Sequence, residues 1–212
     1  MSPGENTAPQ PKVVLATRNQ HKIPEIRRIL AEAGSEVDLI SVADFDGVDD
    51  VVETGLTFAE NALLKARVVA AATGLPALAD DSGICVDAMH GMPGVFSGRW
   101  SGRHGDDTAN LDLLLAQLSD VPDDERGASF VCVAALVLAD GTEAVAEGRV
   151  PGTLLPERRG QRGFGYDPIF VPDGDSRTTA EMSSAEKDAI SHRGRAFTAI
   201  ATDLKRLNPA GT

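Results

Sequence analysis

Residues 128–150, "ASFVCVAALVLADGTEAVAEGRV", read as two strand runs joined at Asp140-Gly141, a dipeptide suited to a tight hairpin turn. That pair must be antiparallel, and the rest of the chain has to accommodate it. Upstream, "KVVLAT" is a short continuous apolar run, the pattern of a strand covered on both faces. It leads into "IPEIRRILAEAG", where Ile23, Ile26, Ile29 and Leu30 recur at helical spacing, Pro24 fits a first turn and Gly34 supplies the stop. "EVDLISV" is a second strand candidate, and "DFDGVDDVVETG" is an acidic connector. The strongest helix is "TFAENALLKARVVAAATG": Thr57 and Glu60 form a capping box, and Gly74 then Pro76 end it.

Further along, "LPALADDSGICVDAM" predicts two short strands flanking Asp80-Asp81, and "HGMPGVFSGRWSGRHGD" is a Gly-rich loop long enough to carry function. "DDTANLDLLLAQL" reads as an amphipathic helix capped by Asp106 or Asp107. "PGTLLPERRGQRGFGYDPIFVP" reads as a loop entering a short strand, and "SSAEKDAISHRGRAFTAIATDLKRL" as helical segments. Strands and helices interleave around one hairpin, which predicts an α/β protein with a mixed sheet.

Composition narrows the function classes. At 212 residues and 42% hydrophobic, the chain has enough apolar material for a sizeable core. Its net charge of −12 argues against binding a nucleic-acid polymer through a broad cationic field, but leaves room for a small anion in a local basic pocket. No apolar run approaches the ~18 residues of a membrane span. "MSPGENTAPQP" has no apolar signal core and reads as a disordered tail. Cys85 and Cys132 sit in apolar runs without C-x-x-C spacing, which predicts buried reduced thiols.

Five short stretches carry chemistry. There is no G-x-x-x-x-G-K-[ST] loop, and "GQRGFG" lacks the dinucleotide spacing, so phosphate binding needs another device. "ATRNQHK" places a strand end before a helix start, where unpaired N–H groups and the macrodipole favour an anion. Thr17 and Asn19 add polar side chains there and Lys22 a point charge, although a capped helix with a solvated lysine would look the same. Asp80-Asp81-Ser82 suits Mg²⁺ and the activation of water, and equally a D-S-G turn. Asn61 and Lys65 lie four apart on one helix face. In "GFGYDPIF", Phe164 and Tyr166 stand among glycines that leave space for a planar ligand, and Asp167 offers acceptors to a purine edge. Lys187, Ser191, His192 and Arg193 in "EKDAISHRG" supply donors for a keto oxygen or a phosphate, or simply form a helix corner.

Taken in order and spacing, "TRNQHK", "ETGLTFAENALLKA", "LPALADDSG", "GFGYDPIF" and "EKDAISHR" resemble the inosine triphosphate pyrophosphatase family along roughly Lys12 to Leu207. The resemblance implies an α/β fold with a long central mixed β-sheet, flanking helices and two lobes with the active cleft between them. It implies a single pyrophosphatase domain over 12–208, between an N-terminal tail (1–11) and a C-terminal tail (209–212). It further implies a cytoplasmic, Mg²⁺-dependent homodimer that hydrolyses ITP, dITP and XTP to the monophosphate and pyrophosphate. Thr17, Asn19 and Lys22 match the family's T-x-N-x-x-K motif, with Arg18, Gln20 and His21 counted alongside as substrate-binding. Asp81 matches the catalytic, metal-associated residue, Glu53 a second metal ligand, and Ser82, Asn61 and Lys65 neighbouring substrate contacts. Phe164, Gly165, Tyr166, Asp167, Lys187, His192 and Arg193 match base and sugar–phosphate contacts. Two departures stand out: Arg18 replaces a common glycine, and Val52 precedes Glu53 where some relatives carry an acid. A non-hydrolysing nucleotide-binding regulator would not need Glu53, Asp80 and Asp81, and a Maf-type pyrophosphatase is disfavoured by the SHR segment.

Overall fold

The computed structural model describes residues 10–19 and 22–207. Residues 1–9 of the expected N-terminal tail, Gln20, His21 and the expected C-terminal tail lie outside the described residues. Six strands form one sheet: β1 (Lys12–Leu15), β2 (Asp38–Ser41), β3 (Ala77–Val86), β4 (Gly127–Val137), β5 (Glu143–Leu154) and β6 (Phe170–Pro172). Their order is β2-β1-β3-β4-β5-β6. β1 runs parallel to β2 and β3, and the β3-β4, β4-β5 and β5-β6 pairs are antiparallel. The mixed sheet is as expected, and the β4-β5 hairpin turns at residues 138–142, where Gly141 takes a positive φ of 84°.

Among the described residues, five α-helices flank the sheet: α1 (Lys22–Glu32), α2 (Phe58–Thr73), α3 (Asp107–Gln117), α4 (Ser184–Ile190) and α5 (His192–Leu204). α2 starts at the predicted capping box of Thr57 and Glu60 and stops at Gly74. Asp106, rather than Asp107, caps α3. Ile26, Ile29 and Leu30 of α1 and Ala196, Phe197 and Ile200 of α5 cover one face of the sheet over Val13, Leu15, Leu78, Cys132 and Ala134. Ala62, Ala66 and Val69 of α2 cover the other over Val14, Ala77, Ala79, Val133 and Ala135. A third cluster joins Leu111 and Leu114 of α3 to Ile84, Val86, Val150, Leu154 and Phe170. Among the described residues, no helix is long and apolar enough to cross a membrane.

Two sequence expectations need correction. Asp80 and Asp81 do not separate two short strands; they lie inside β3, one unbroken strand of ten residues. β4 pairs with β3 along its whole length, from Ala77↔Val137 to Val86↔Ala128, and distant side chains compensate both carboxylates, so no turn is needed. Likewise, the stretch from Pro151 to Leu154 is strand, because β4 continues to pair with it and β6 joins from Gly152 onward. Both cysteines are free as expected, but only Cys132 is buried; Cys85 is partly exposed.

Candidate active site

Side chains alternate across a strand, so two adjacent aspartates in β3 must face opposite sides of the sheet. Asp80 points with Leu78 toward α1 and α5, where Lys22 Nζ donates to its Oδ2 at 2.8 Å. The Ser82 hydroxyl donates to the same oxygen at 2.8 Å, and the Arg193 guanidinium lies 3.7 Å away. Burial pushes the Asp80 carboxyl up, but the charges of Lys22, Arg193 and Lys65 outweigh it and hold the group well below the usual carboxylate range.

Asp81 points toward α2. Its Oδ2 accepts from Asn61 Nδ2 at 3.1 Å, and Lys65 Nζ stands 3.7 Å from Oδ1. Helical spacing of four brings Asn61 and Lys65 together here, as their positions predicted. Asn61 Oδ1 also accepts the Gly55 N–H at 2.8 Å, which draws the 53–56 segment against α2. Only glycine permits this approach: a Cβ at residue 55 would lie 2.7 Å from Asn61 Oδ1. Glu53 is thereby brought to Lys65 (2.6 Å) and to Arg99 (3.1 Å). Burial, with the Glu53 charge adding to it, raises the Asp81 carboxyl above its usual pKa despite Lys65 and Asn61. Glu53 itself is lowered, since Lys65 and Arg99 overcome its burial.

Also lining the cleft, Phe164 is 38% exposed, with Lys187 Nζ 5.2 Å from its ring centroid. The buried Asp167 carboxylate is engaged at both oxygens: it accepts from Lys187 Nζ (2.5 Å), Phe164 N (2.9 Å) and the Thr179 hydroxyl (2.8 Å). Tyr166 is buried in the third core cluster and its hydroxyl donates to the Ser97 carbonyl at 2.9 Å, so it braces the loop from beneath. The Gly165 N–H donates to Asp107 at the start of α3.

Ser191 caps α5 and delivers His192 and Arg193 into the cleft. α5 lies so close to β5 that a Cβ on Gly148 would meet the His192 carbonyl at 2.0 Å. His192 stacks on Phe130, centroids 4.9 Å apart at 12°, and Arg193 Nη1 donates to Glu25 at 2.8 Å. Burial, with the charges of Arg193 and Lys187, holds His192 neutral, well below its usual pKa. The unfolded chain therefore takes up a proton near pH 6.5 that the folded chain refuses. Folding stability should fall as pH drops below 6.5, by about 1.4 kcal/mol per pH unit at most, until the lowered folded pKa is reached. Thermal melts between pH 7 and 5 check this: His192→Phe should flatten the slope, and an unchanged slope would remove His192 as its source.

One cleft of about 880 Å³ is lined by Thr17, Arg18, Asn19, Lys22, Glu53, Lys65, Asp80, Asp81, Ser82, Phe164, Gly165, Tyr166, Asp167, Lys187, His192 and Arg193. Thr17 Oγ1 accepts from Asn19 N, and Arg18 pairs with Asp50 of the acidic connector at 2.8 Å. Asn61 lies behind this wall, hydrogen-bonded to Asp81. Residue-level reading missed Arg99 and Phe130, which also line the cleft. Arg99 belongs to the Gly-rich loop flagged for its length, whereas Phe130 is an ordinary strand residue with no sequence mark. An apolar platform, several cations and a cleft-facing carboxylate along one wall suit a nucleotide polyphosphate.

Known proteins bear on this geometry. The sequence profile of the Ham1 family matches residues 13–203. A Streptomyces coelicolor protein named dITP/XTP pyrophosphatase is 59% identical over 196 residues, covering 92% of this chain and 98% of its own. The crystal structure of nucleoside-triphosphatase / dITP/XTP pyrophosphatase from Mycobacterium abscessus is 55% identical, with a TM-score of 0.76 over 89% of this chain and 98% of that one. A HAM1 protein from Coxiella burnetii, 42% identical, superposes with a TM-score of 0.84 over 93% of this chain and all of its own. With the profile spanning nearly every described residue and relatives aligned end to end, the chain belongs to the Ham1 family.

Proposed function

We propose that this chain hydrolyses nonstandard purine nucleoside triphosphates (ITP, dITP and XTP) to the monophosphate and pyrophosphate, clearing deaminated purines from the nucleotide pool. The observation that carries this reading is Asp81: a carboxylate of raised pKa facing a cleft that has Lys22 and Lys65 beside it and the Phe164 platform beyond. A triphosphate of about −4 charge needs this local neutralisation in an otherwise acidic protein. Thr17, Asn19 and Lys22 hold the phosphates, and Phe164 takes the base on its exposed face. Asp81 removes a proton from a water as its oxygen bonds to the α-phosphorus. The bond from that phosphorus to the bridging oxygen breaks, and pyrophosphate leaves with the electron pair.

Mg²⁺ fits this donor set. Glu53 and Asp81 present hard oxygens on either side of the Lys65 ammonium, so a cation already stands between them. Glu53 and Asp81 are the residues that would hold the ion. When bound, the ion neutralises phosphate charge and orients the reacting groups. The homodimer, the cytoplasmic location and the two-lobed single domain over 12–208 rest on the resemblance to the inosine triphosphate pyrophosphatases alone.

A substrate panel with Mg²⁺ tests the reading. Each turnover of ITP, dITP or XTP should release one pyrophosphate and no orthophosphate. Orthophosphate as the primary product would place attack at the γ-phosphorus and overturn the assignment.

A further inference from the structure

The neighbouring aspartates of β3 share a sequence motif but not a surface. The Asp81 side chain is 10% exposed and reaches the cleft, whereas that of Asp80 is 1% exposed. Its Oδ2 gathers Lys22, Ser82 and, at 4.0 Å, the Cys132 thiol. Its Oδ1 is sealed from solvent with no hydrogen-bond partner among the described residues, as is Nε of Arg193 nearby. Asp80 borders the cleft, but its carboxylate is turned to these protein neighbours and is almost wholly covered by them.

Its neighbours do reach the cleft. Lys22 comes from the first turn of α1 and is read as a phosphate contact. Arg193 comes from the first turn of α5, directly after His192, lines the same cleft, and is among the residues the resemblance matches to base and sugar–phosphate contacts. Glu25, one turn along α1 from Lys22, holds the far side of Arg193 at 2.8 Å. Both helices that deliver substrate contacts are thus tied to one buried anion.

We propose that Asp80 is a positioning residue that couples Lys22, read as a phosphate contact, to Arg193, read as a base contact, and is neither a metal ligand nor a base. This rests on the reading of the cleft given above. Without the carboxylate, two cations on the same face of β3 are left with no anion between them, and Lys22 loses the group that holds its ammonium extended.

The sign of the effect separates positioning from simple charge. Deleting a negative charge near a polyphosphate should tighten its binding if Asp80 acts only through its field. Losing the charged hydrogen bond that orients Lys22 should weaken it, by about tenfold. The experiment measures competitive inhibition by inorganic tripolyphosphate, which has no base, and by inosine, which has no phosphate, in the Mg²⁺-loaded wild type and Asp80→Asn. Weaker inhibition by both, with KM raised more than kcat is lowered, is the expected result. Tripolyphosphate binding that is unchanged or tighter, or inosine binding that is unchanged, in a folded variant overturns the coupling. Wild type insensitive to both inhibitors would instead overturn the reading of the cleft itself.

Should Asp80→Asn fail to fold, Lys22→Met asks the same question with the carboxylate retained. Coupling through Asp80 requires that it shift inosine inhibition by about threefold or more, in addition to weakening tripolyphosphate. Inosine binding unaffected by Lys22→Met overturns the link.

Discussion

Asp81→Asn is expected to lower kcat by about 10²- to 10⁴-fold with the fold intact, the range lost when a positioned proton acceptor is removed. Asparagine keeps the size and hydrogen-bonding edge of the side chain, so the Ser82 N–H, 3.0 Å from Asp81 Oδ1, can retain an acceptor. It removes the anion and the basic oxygen together. Stability should change little, because relief of the buried charge is offset by the new amide NH2 facing Asn61 Nδ2, which in the wild type donates to Asp81 Oδ2 at 3.1 Å. The pKa of Asp81 is raised mainly by burial, which means the folded protein bears the carboxylate charge at a cost that a neutral isostere does not incur. Lys65 keeps its closer partner, Glu53 at 2.6 Å. Pyrophosphate release and thermal melting, measured on the same preparation, decide the matter. A variant that melts like the wild type and retains most of its turnover would take Asp81 out of the chemistry.

The same residue shows where sequence reasoning reached its limit. Local signals were readable because their physics is local. The Thr57–Glu60 capping box, the Asn61–Lys65 spacing and the stop at Gly74 each involve residues within one or two turns. The hairpin at Asp140-Gly141 is equally local. β3 was misread because its continuity depends on a partner strand some fifty residues on and on Lys22, 58 residues before Asp80. Seen without those partners, two aspartates in an apolar run look like an interruption. Once the strand is known to be continuous, its period of two separates their side chains at once. Asp167 shows the complementary case. The sequence marked it as an acceptor for a purine edge, yet Lys187, Phe164 and Thr179 take up its oxygens. Those bonds aim Lys187 and shape the loop that carries Phe164, a structural part that the sequence does not reveal.

That arrangement yields a selectivity large enough to measure: dITP should be turned over about a hundred times or more as efficiently as dATP, as kcat/KM. A 6-keto group accepts a hydrogen bond and a 6-amino group donates one, so a donor-only side chain at that position favours the first. Lys187 is such a group. It stands 5.2 Å from the Phe164 ring centroid, beside the platform for the base, and Asp167 fixes it at 2.5 Å. Arg193, buried and tied to Glu25, is donor-only as well, whereas neutral His192 can either donate or accept and so cannot discriminate by charge type alone. Lys187→Gln isolates the contribution. Its amide can still donate to Asp167, which keeps that buried carboxylate satisfied, while its carbonyl can turn toward a 6-amino group. The dITP/dATP ratio should therefore fall by about tenfold or more, through both a loss for dITP and a gain for dATP. Equal proportional losses for the two substrates would mean that Lys187 binds a part common to both, such as sugar or phosphate, and would move the discriminating donor to Arg193.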